Sequence, residues 1–370
     1  MSEPSERYPS DRRVSIDALR GLDMFFLIGG LAMLRAVLAY TKAPWTAAVI
    51  ANLEHTAWRG FHFIDVIFPL FLFLVGASMP FSFQKRFARG ESRTRICGHI
   101  AKRAALLLFL GLVCNGLLDF NFAHFHYAGV LQRIAVSYFF AAVIVVHTGA
   151  KGQAVAAAGL LLLYWGLMTL VPVPGHGAGV LTPEGSLAAY IDQHFLPGEF
   201  YRNMPYDEDG LLSQIPSTAS VLLGVLAGQL LKSSMPRRKQ VAVLLASGAA
   251  GILLALVWDR QFPIVFRLWT SSYALLTAGI SAMALGIFYW IIDVEGYRRW
   301  AFPLVVIGLN ALTIYVAQRL FDFGILANVF VHGFIAACGT LRPVVWAVCV
   351  FLAKWLFLYF LYRQRIFLRA

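Results

Sequence analysis

The sequence predicts an all-α polytopic membrane protein, a bundle of about ten transmembrane helices with both termini in the cytoplasm. Three observations carry this expectation. Of the 370 residues, 59% are hydrophobic and only 14% charged, and mean hydropathy is +0.69, well beyond an ordinary soluble domain. Apolar runs of about 20 residues, the length that crosses a bilayer, recur along nearly the whole chain. Lys and Arg gather in the segments joining alternate runs, as in cytoplasmic loops. A single transmembrane domain is expected over 1–370, with a cytoplasmic tail over 1–14 and no separate soluble domain.

Taken in order, the candidate spans run approximately over Leu19–Tyr40, Phe63–Phe83, Arg103–Leu118, Ala128–His147, Ala154–Val171, Leu211–Leu231, Val241–Trp258, Ser271–Ile292, Pro303–Leu320 and Pro343–Tyr362. With the N-terminus inside, the inner segments hold Arg7, Arg12, Arg13, the basic run from Lys85 to Arg103, Lys232, the Arg237–Lys239 cluster, Arg363 and Arg369. The outer segments hold few cations, among them Lys42, Arg59, Arg202 and Arg267, so His55 falls on the outer face. Net charge is +12. In a soluble chain that would suggest nucleic acid, but cations confined between spans point to membrane lipids instead. Cys97, Cys114, Cys338 and Cys349 show no CxxC spacing and read as small core residues. The N-terminal segment is polar and lacks the apolar centre of a cleavable signal peptide, so the first span is expected to be retained.

Two outer segments exceed the length of a simple turn. One, 172–210, is rich in Gly, Pro and acids, with a short helix expected over Pro183–His194, and reads as a periplasmic lid over an outer cavity. The other, Phe321–Thr340, is too interrupted for a span and reads as re-entrant or interfacial. No internal repeat is evident, which weighs against an inverted-repeat transporter.

The stretch from Asn52 to Pro80 joins a polar loop to an apolar run, placing His55 in the loop and Asp65 just inside the membrane edge. Ionisable residues there are costly to keep and therefore functional candidates. The plainer reading makes His55 an exposed loop histidine and Asp65 a helix-start acid. Asp17, Arg20 and Asp23 share one helix face at i, i+3, i+6, either as a capping and snorkelling group at the inner interface or as a pore-facing ion network. Gln132 and Arg133 lie about a turn inside the outer edge, at a depth that makes Arg133 a candidate partner for Asp65. Asn310 falls near mid-depth of the ninth span, where helix-bridging hydrogen bonds are the usual role. Trp269 and Ser271 open the eighth span, Trp269 as an aromatic-belt residue. Asp209 and Ser213 open the sixth, where an acid suits a helix N-terminus. His124 and His126 lack a third ligand, so no metal is expected. Phosphate loops, serine elbows and HExxH are missing too.

Seven segments in order, SIDALRGLDMFF from Ser15, EHTAWRGFHFIDVIFPLFLFLVGAS from Glu54, GVLQRIA from Gly129, LTPEGSLAAYID from Leu181, DEDGLLSQIPS from Asp207, LWTSSYALLTAG from Leu268 and IGLNALTIY from Ile307, resemble the heparan-α-glucosaminide N-acetyltransferase family. The likeness is closest to its bacterial NagX-like, DUF5009-type branch, which implies the bacterial inner membrane. The resemblance implies an acetyltransferase that moves an acetyl group from cytoplasmic acetyl-CoA to the amine of a hexosamine on the other face. The lysosomal members carry a further lumenal domain with no counterpart here, which turns the expected acceptor away from heparan sulfate itself.

The family's catalytic histidine lies in H-x-x-W-x-G-x-x-x-x-D, matched here by His55, Trp58, Gly60 and Asp65. His55 is thus expected as general base or transient acetyl carrier, since imidazole, with an ordinary pKa near ~6.5, suits either role. Asp65 would orient it or pair with Arg133. Trp58, Gln132, Arg133, Asp209, Ser213, Trp269, Ser271 and Asn310 are expected on the acceptor side, and Asp17, Arg20, Asp23, Lys102 and Arg103 on the cofactor side. A sugar transporter without chemistry and an O-acyltransferase acting on a glycan or lipid hydroxyl remain alternatives, and a homodimer is left open.

Overall fold

The computed structural model describes residues 13–41 and 43–367, so the tail over 1–14 lies almost wholly outside the described residues, as do Lys42 and Arg369. The described residues are nearly all helical; pairing of extended backbone is confined to two isolated bridges. The long helices are α1 (Val14–Thr41), α2 (Phe63–Ala88), α3 (Arg93–Cys114), α4 (Val130–His147) and α5 (Ala150–Leu170). The short α6 (Leu187–Phe195) follows, then α7 (Gln214–Lys232), α8 (Arg237–Trp258) and α9 (Ser271–Val294). Two short helices, α10 (Phe302–Leu309) and α11 (Ala311–Leu320), precede α12 (Phe323–Ala337) and α13 (Gly339–Arg363). Among the described residues nine helices are long and apolar enough to cross a membrane, and α10 with α11 brings the number to ten if the pair is one span. The chain is a multi-pass membrane protein.

Every expected span has its helix, with shifted ends. The third begins at Arg93, ten residues ahead of the apolar run, because Ser92 accepts a hydrogen bond from Arg95 N at 3.3 Å and caps it. The ninth differs in kind: it breaks at Asn310, where φ −123° and ψ 33° leave the helical region, and its halves meet at 69°. The segment expected to be re-entrant or interfacial contains a 15-residue apolar helix, α12, packed against α13. Asp322 caps it through Gly324 N at 2.7 Å. It is too short to cross a ~30 Å hydrocarbon layer upright. A further break lies in α1, a π-helical turn over Phe26–Gly30 with Gly29 at φ +156°.

Lipid gives helices little hydrophobic reason to associate, so close backbone packing must hold them. Glycine seams provide it, among them those of α1 with α10 and of α2 with α7. A Cβ at Gly21 of α1 would lie 1.8 Å from the Leu304 carbonyl oxygen of α10, and one at Gly308 would lie 1.9 Å from that of Asp17. Between α2 and α7, a Cβ on Gly76 would meet the Val221 oxygen at 2.0 Å, and one on Gly224 the Phe73 oxygen at 2.0 Å. Gly224→Val is therefore expected to abolish the monodisperse gel-filtration peak of the detergent-extracted protein. Gly98→Val, at a position with nothing within 4 Å, should preserve it.

The 172–210 segment is folded onto the end of the bundle that carries His55. Val173, Leu181 and Leu187 are buried there with Tyr164, Phe262 and Leu268. Its helix starts later than expected, at Leu187, where Ser186 accepts from Ala189 N at 3.2 Å.

Candidate active site

The loop before α2 is pinned at several points. Arg35 on α1 donates to the Leu53 carbonyl, and Gly60 N donates to Ile264 O at 3.0 Å. Gly60 has φ +108°, which L side chains rarely adopt, so glycine is required for that approach. The Trp58 indole donates to Leu181 O at 2.7 Å, tying the loop to the 172–210 segment. His62 Nδ1 lies 2.6 Å from Glu54 O.

Asp65 sits in the 3₁₀ turn that opens α2, with its side chain fully buried. One carboxylate oxygen accepts from His62 N at 2.8 Å and the other lies 2.6 Å from His55 Nδ1. The Tyr273 hydroxyl donates to the Asp65 carbonyl at 2.5 Å. With a carboxylate facing Nδ1, the neutral ring's favoured tautomer has its proton on that nitrogen and its lone pair on Nε2. The ring stacks on Phe266 at 4.7 Å, its side chain is 49% exposed, and Nε2 makes no hydrogen bond among the described residues. A fixed imidazole with a buried acid behind it and an open basic nitrogen in front is the arrangement of a general base or a nucleophile.

Arg133, 1% exposed, is the centre of an adjoining network. Its Nε lies 3.1 Å from Asp209, an ion pair without hydrogen-bond alignment, while Nη2 donates to Ser213 Oγ at 2.5 Å and to the Glu208 carbonyl. Its guanidinium lies 4.5 Å from the Trp269 ring centroid. The suggested Asp65–Arg133 pair is thus not made, because each has a nearer partner. Trp269 is no belt residue either: it is 2% exposed, at φ +51°, with its indole donating to Ser220 Oγ at 3.3 Å. Arg267 bonds Glu208 at 2.5 Å and stacks over Phe266, so that ring lies between Arg267 and His55.

A carboxylate cluster braces the 172–210 segment. Asp192, buried, accepts from Leu211 N at 2.9 Å and Asp207 N at 3.3 Å, and burial pushes its carboxyl up to about 6. Burial also raises Asp209 to about 6, with Arg133 opposing. For Asp207, burial acts upward, but the 2.6 Å bond to His126 and that residue's charge outweigh it and hold the carboxyl below its usual 3.8. His126 is raised in turn, the Asp207 bond and nearby acids overcoming its burial. Asp192, Asp209 and His126 all bind protons more tightly when folded, so their contribution to stability grows as pH falls from about 7 towards 5. The Asp207 contribution has the opposite sign and is lost below 3.8. Proteolytic resistance of this segment should accordingly rise on mild acidification and collapse in strong acid. Asp192→Asn should flatten the rise.

A family model described as a domain of unknown function (DUF5009) matches residues 12–118, the stretch that holds His55 and Asp65. Heparan-alpha-glucosaminide N-acetyltransferase of Homo sapiens is 27% identical over 326 residues, covering 73% of this chain and 49% of that protein. The protein of the same name from Mus musculus is 26% identical over 371 residues, covering 85% and 55%. The chain is similar to these heparan-alpha-glucosaminide N-acetyltransferases. It spans about half the length of these relatives.

The structure brings together His55, Asp65 and Trp58 in one loop and Arg133, Asp209, Ser213 and Trp269 in the network beside it. It does not gather the rest there. Ser271 Oγ donates to Leu161 O at 2.7 Å, a helix-bridging bond with no open face. Gln132 donates to Tyr127 O at 3.2 Å, and Asn310, at the helix break, donates to Ile366 O at 3.0 Å. In the bundle interior, Arg20 reaches Ser78 Oγ at 2.5 Å and Asp17 at 3.4 Å. Asp23, 1% exposed, has neither carboxylate oxygen hydrogen-bonded among the described residues. Lys102 and Arg103 are instead exposed on α3, with Arg103 over the Tyr138 ring at 4.7 Å, so the expected cofactor group is split. His124 pairs with Glu199, and among the described residues no group of three or more His, Cys, Asp or Glu could hold a metal ion. Phe266, Tyr273 and Arg267 were missed as parts of the site. Arg267, a cation just before an apolar run, was the available signal.

Proposed function

We propose that this chain is a transmembrane acetyltransferase of the bacterial inner membrane, carrying acetyl from cytoplasmic acetyl-CoA to the amine of a hexosamine on the periplasmic side. The observation that carries this reading is the His55–Asp65 pair, whose buried carboxylate fixes Nδ1 and leaves Nε2 open. Kinship with two N-acetyltransferases supports it independently. In the direct route, the amine nitrogen attacks the thioester carbonyl while Nε2 accepts its proton. The N–C bond forms, the C–S bond breaks, and the departing thiolate takes up a proton. Asp65 stabilises the imidazolium formed in between. In the carrier route, acetyl rests on Nε2 before passing to the amine.

Arg133, Asp209 and Trp58 would hold the sugar, and the 172–210 segment, bonded to Trp58 and Arg267, would act as its lid. For the coenzyme, Arg20 offers a phosphate contact, and the orphaned Asp23 carboxyl offers a polar partner within the bundle. Purified protein should be stabilised thermally by acetyl-CoA, by about 2.7 kcal/mol at a concentration 100 times Kd, and should transfer labelled acetyl to glucosamine. Glucosamine uptake into liposomes without acetyl-CoA, together with no thermal shift, would replace this reading with a transporter.

A further inference from the structure

A cavity of about 810 Å³ opens between α11, the start of α12 and α13, with Gln318, Arg319, Asp322, Asn328 and Lys354 among its lining. Its polarity is out of place in depth. Lys354 lies nine residues from the end of the 25-residue α13, ~13.5 Å along the axis and so near the middle of a ~30 Å hydrocarbon layer. Its ammonium donates to Ile28 O at 2.8 Å, a carbonyl in the π-helical turn of α1, and to Gln318 Oε1 at 3.1 Å. An ammonium has three donors, so one is left over. Arg319 lies over the Tyr315 ring at 6.0 Å, and among the described residues neither cation is ion-paired with a carboxylate. The cavity's own acid, Asp322, caps α12 through one carboxylate oxygen, and its single charge offsets only one of the two cations. The net positive charge that remains is costly at this depth and calls for an anion.

The rim indicates what carries that anion. Phe321 is 67% exposed, Ile325 68% and Leu320 53%, so apolar side chains flank the charged interior on the face turned outward from the bundle. A cavity within the 300–1,000 Å³ of ordinary ligand sites, cationic inside and apolar at its mouth, suits an amphiphile. We propose that it binds an anionic phospholipid, one whose headgroup carries net negative charge, its phosphate on Lys354 and Arg319 and its chains along Phe321 and Ile325. The site is separate from the His55–Asp65 pair and stands or falls independently of the acyl-transfer reading.

The test uses full-length protein, delipidated in detergent, melted while phosphatidylglycerol, phosphatidylcholine, inorganic phosphate or acetyl-CoA is added. Phosphatidylglycerol should raise Tm to a plateau, with phosphatidylcholine and inorganic phosphate giving no such shift. The double variant Lys354→Met with Arg319→Gln should lose that shift and keep the response to acetyl-CoA, while Lys354→Arg should retain both. If the double variant fails gel filtration, Arg319→Gln alone, at an exposed position, serves in its place and should reduce the shift. An unchanged phosphatidylglycerol response would overturn the proposal. So would an equal response to inorganic phosphate, which makes the site a bare anion site, or loss of the acetyl-CoA response with the lipid response intact, which assigns the cavity to the acyl donor.

Discussion

Replacing His55 by alanine should remove acetyl transfer to glucosamine while leaving expression, gel-filtration profile and acetyl-CoA-dependent stabilisation intact. The size and pH dependence of the loss separate the two chemical routes. A general base contributes about 10²–10⁴-fold, and its absence is partly relieved at alkaline pH, where the amine deprotonates unaided. Residual turnover climbing with pH would therefore mark His55 as the base. A carrier leaves nothing to relieve, so activity stays at background at every pH, and wild-type enzyme given labelled acetyl-CoA without acceptor traps label on His55. Full activity in the alanine variant would remove the residue from the reaction altogether.

Asp65→Asn should cost nearly as much, on the order of 10²–10⁴ in kcat with little change in KM, by analogy with the effect of this substitution behind a serine-protease histidine. The carboxamide can keep the bond from His62 N through its oxygen, but its NH₂ then faces His55 and donates to Nδ1. That forces the proton onto Nε2, the nitrogen that must be free. Because Asp65 is fully buried and its carbonyl is held by Tyr273, the fold should survive, which a near-wild-type melt would verify. Unchanged kcat would mean that the pair merely anchors the loop.

The spans were legible because lipid imposes a length and an apolar composition on any helix that crosses it, and both are written locally. The loop histidine and its aspartate were legible for the opposite reason: charge at the edge of such a run is expensive and stands out. The other partnerships depended on distance in space. Arg133 was matched to Asp65 on depth alone, whereas the folded 172–210 segment delivers Asp209 and the Glu208 carbonyl to it. The break at Asn310 was not legible, since the residues on either side of it, Leu309 and Ala311, are apolar and no proline marks the bend. Arg319 and Lys354 carried a legible signal, ionisable groups within or beside apolar runs, but their convergence requires α11 to turn 69° towards α13.

The glycine seams also set which parts of the bundle are held most tightly together. With carbonyl oxygens seated where a Cβ would otherwise stand, α1 on α10 and α2 on α7 are meshed like gear teeth, and a slip by one residue would drive side chains into backbone. The break at Asn310 and the hairpin of α12 and α13 lie outside that mesh, with no carbonyl wedged against a glycine of either helix.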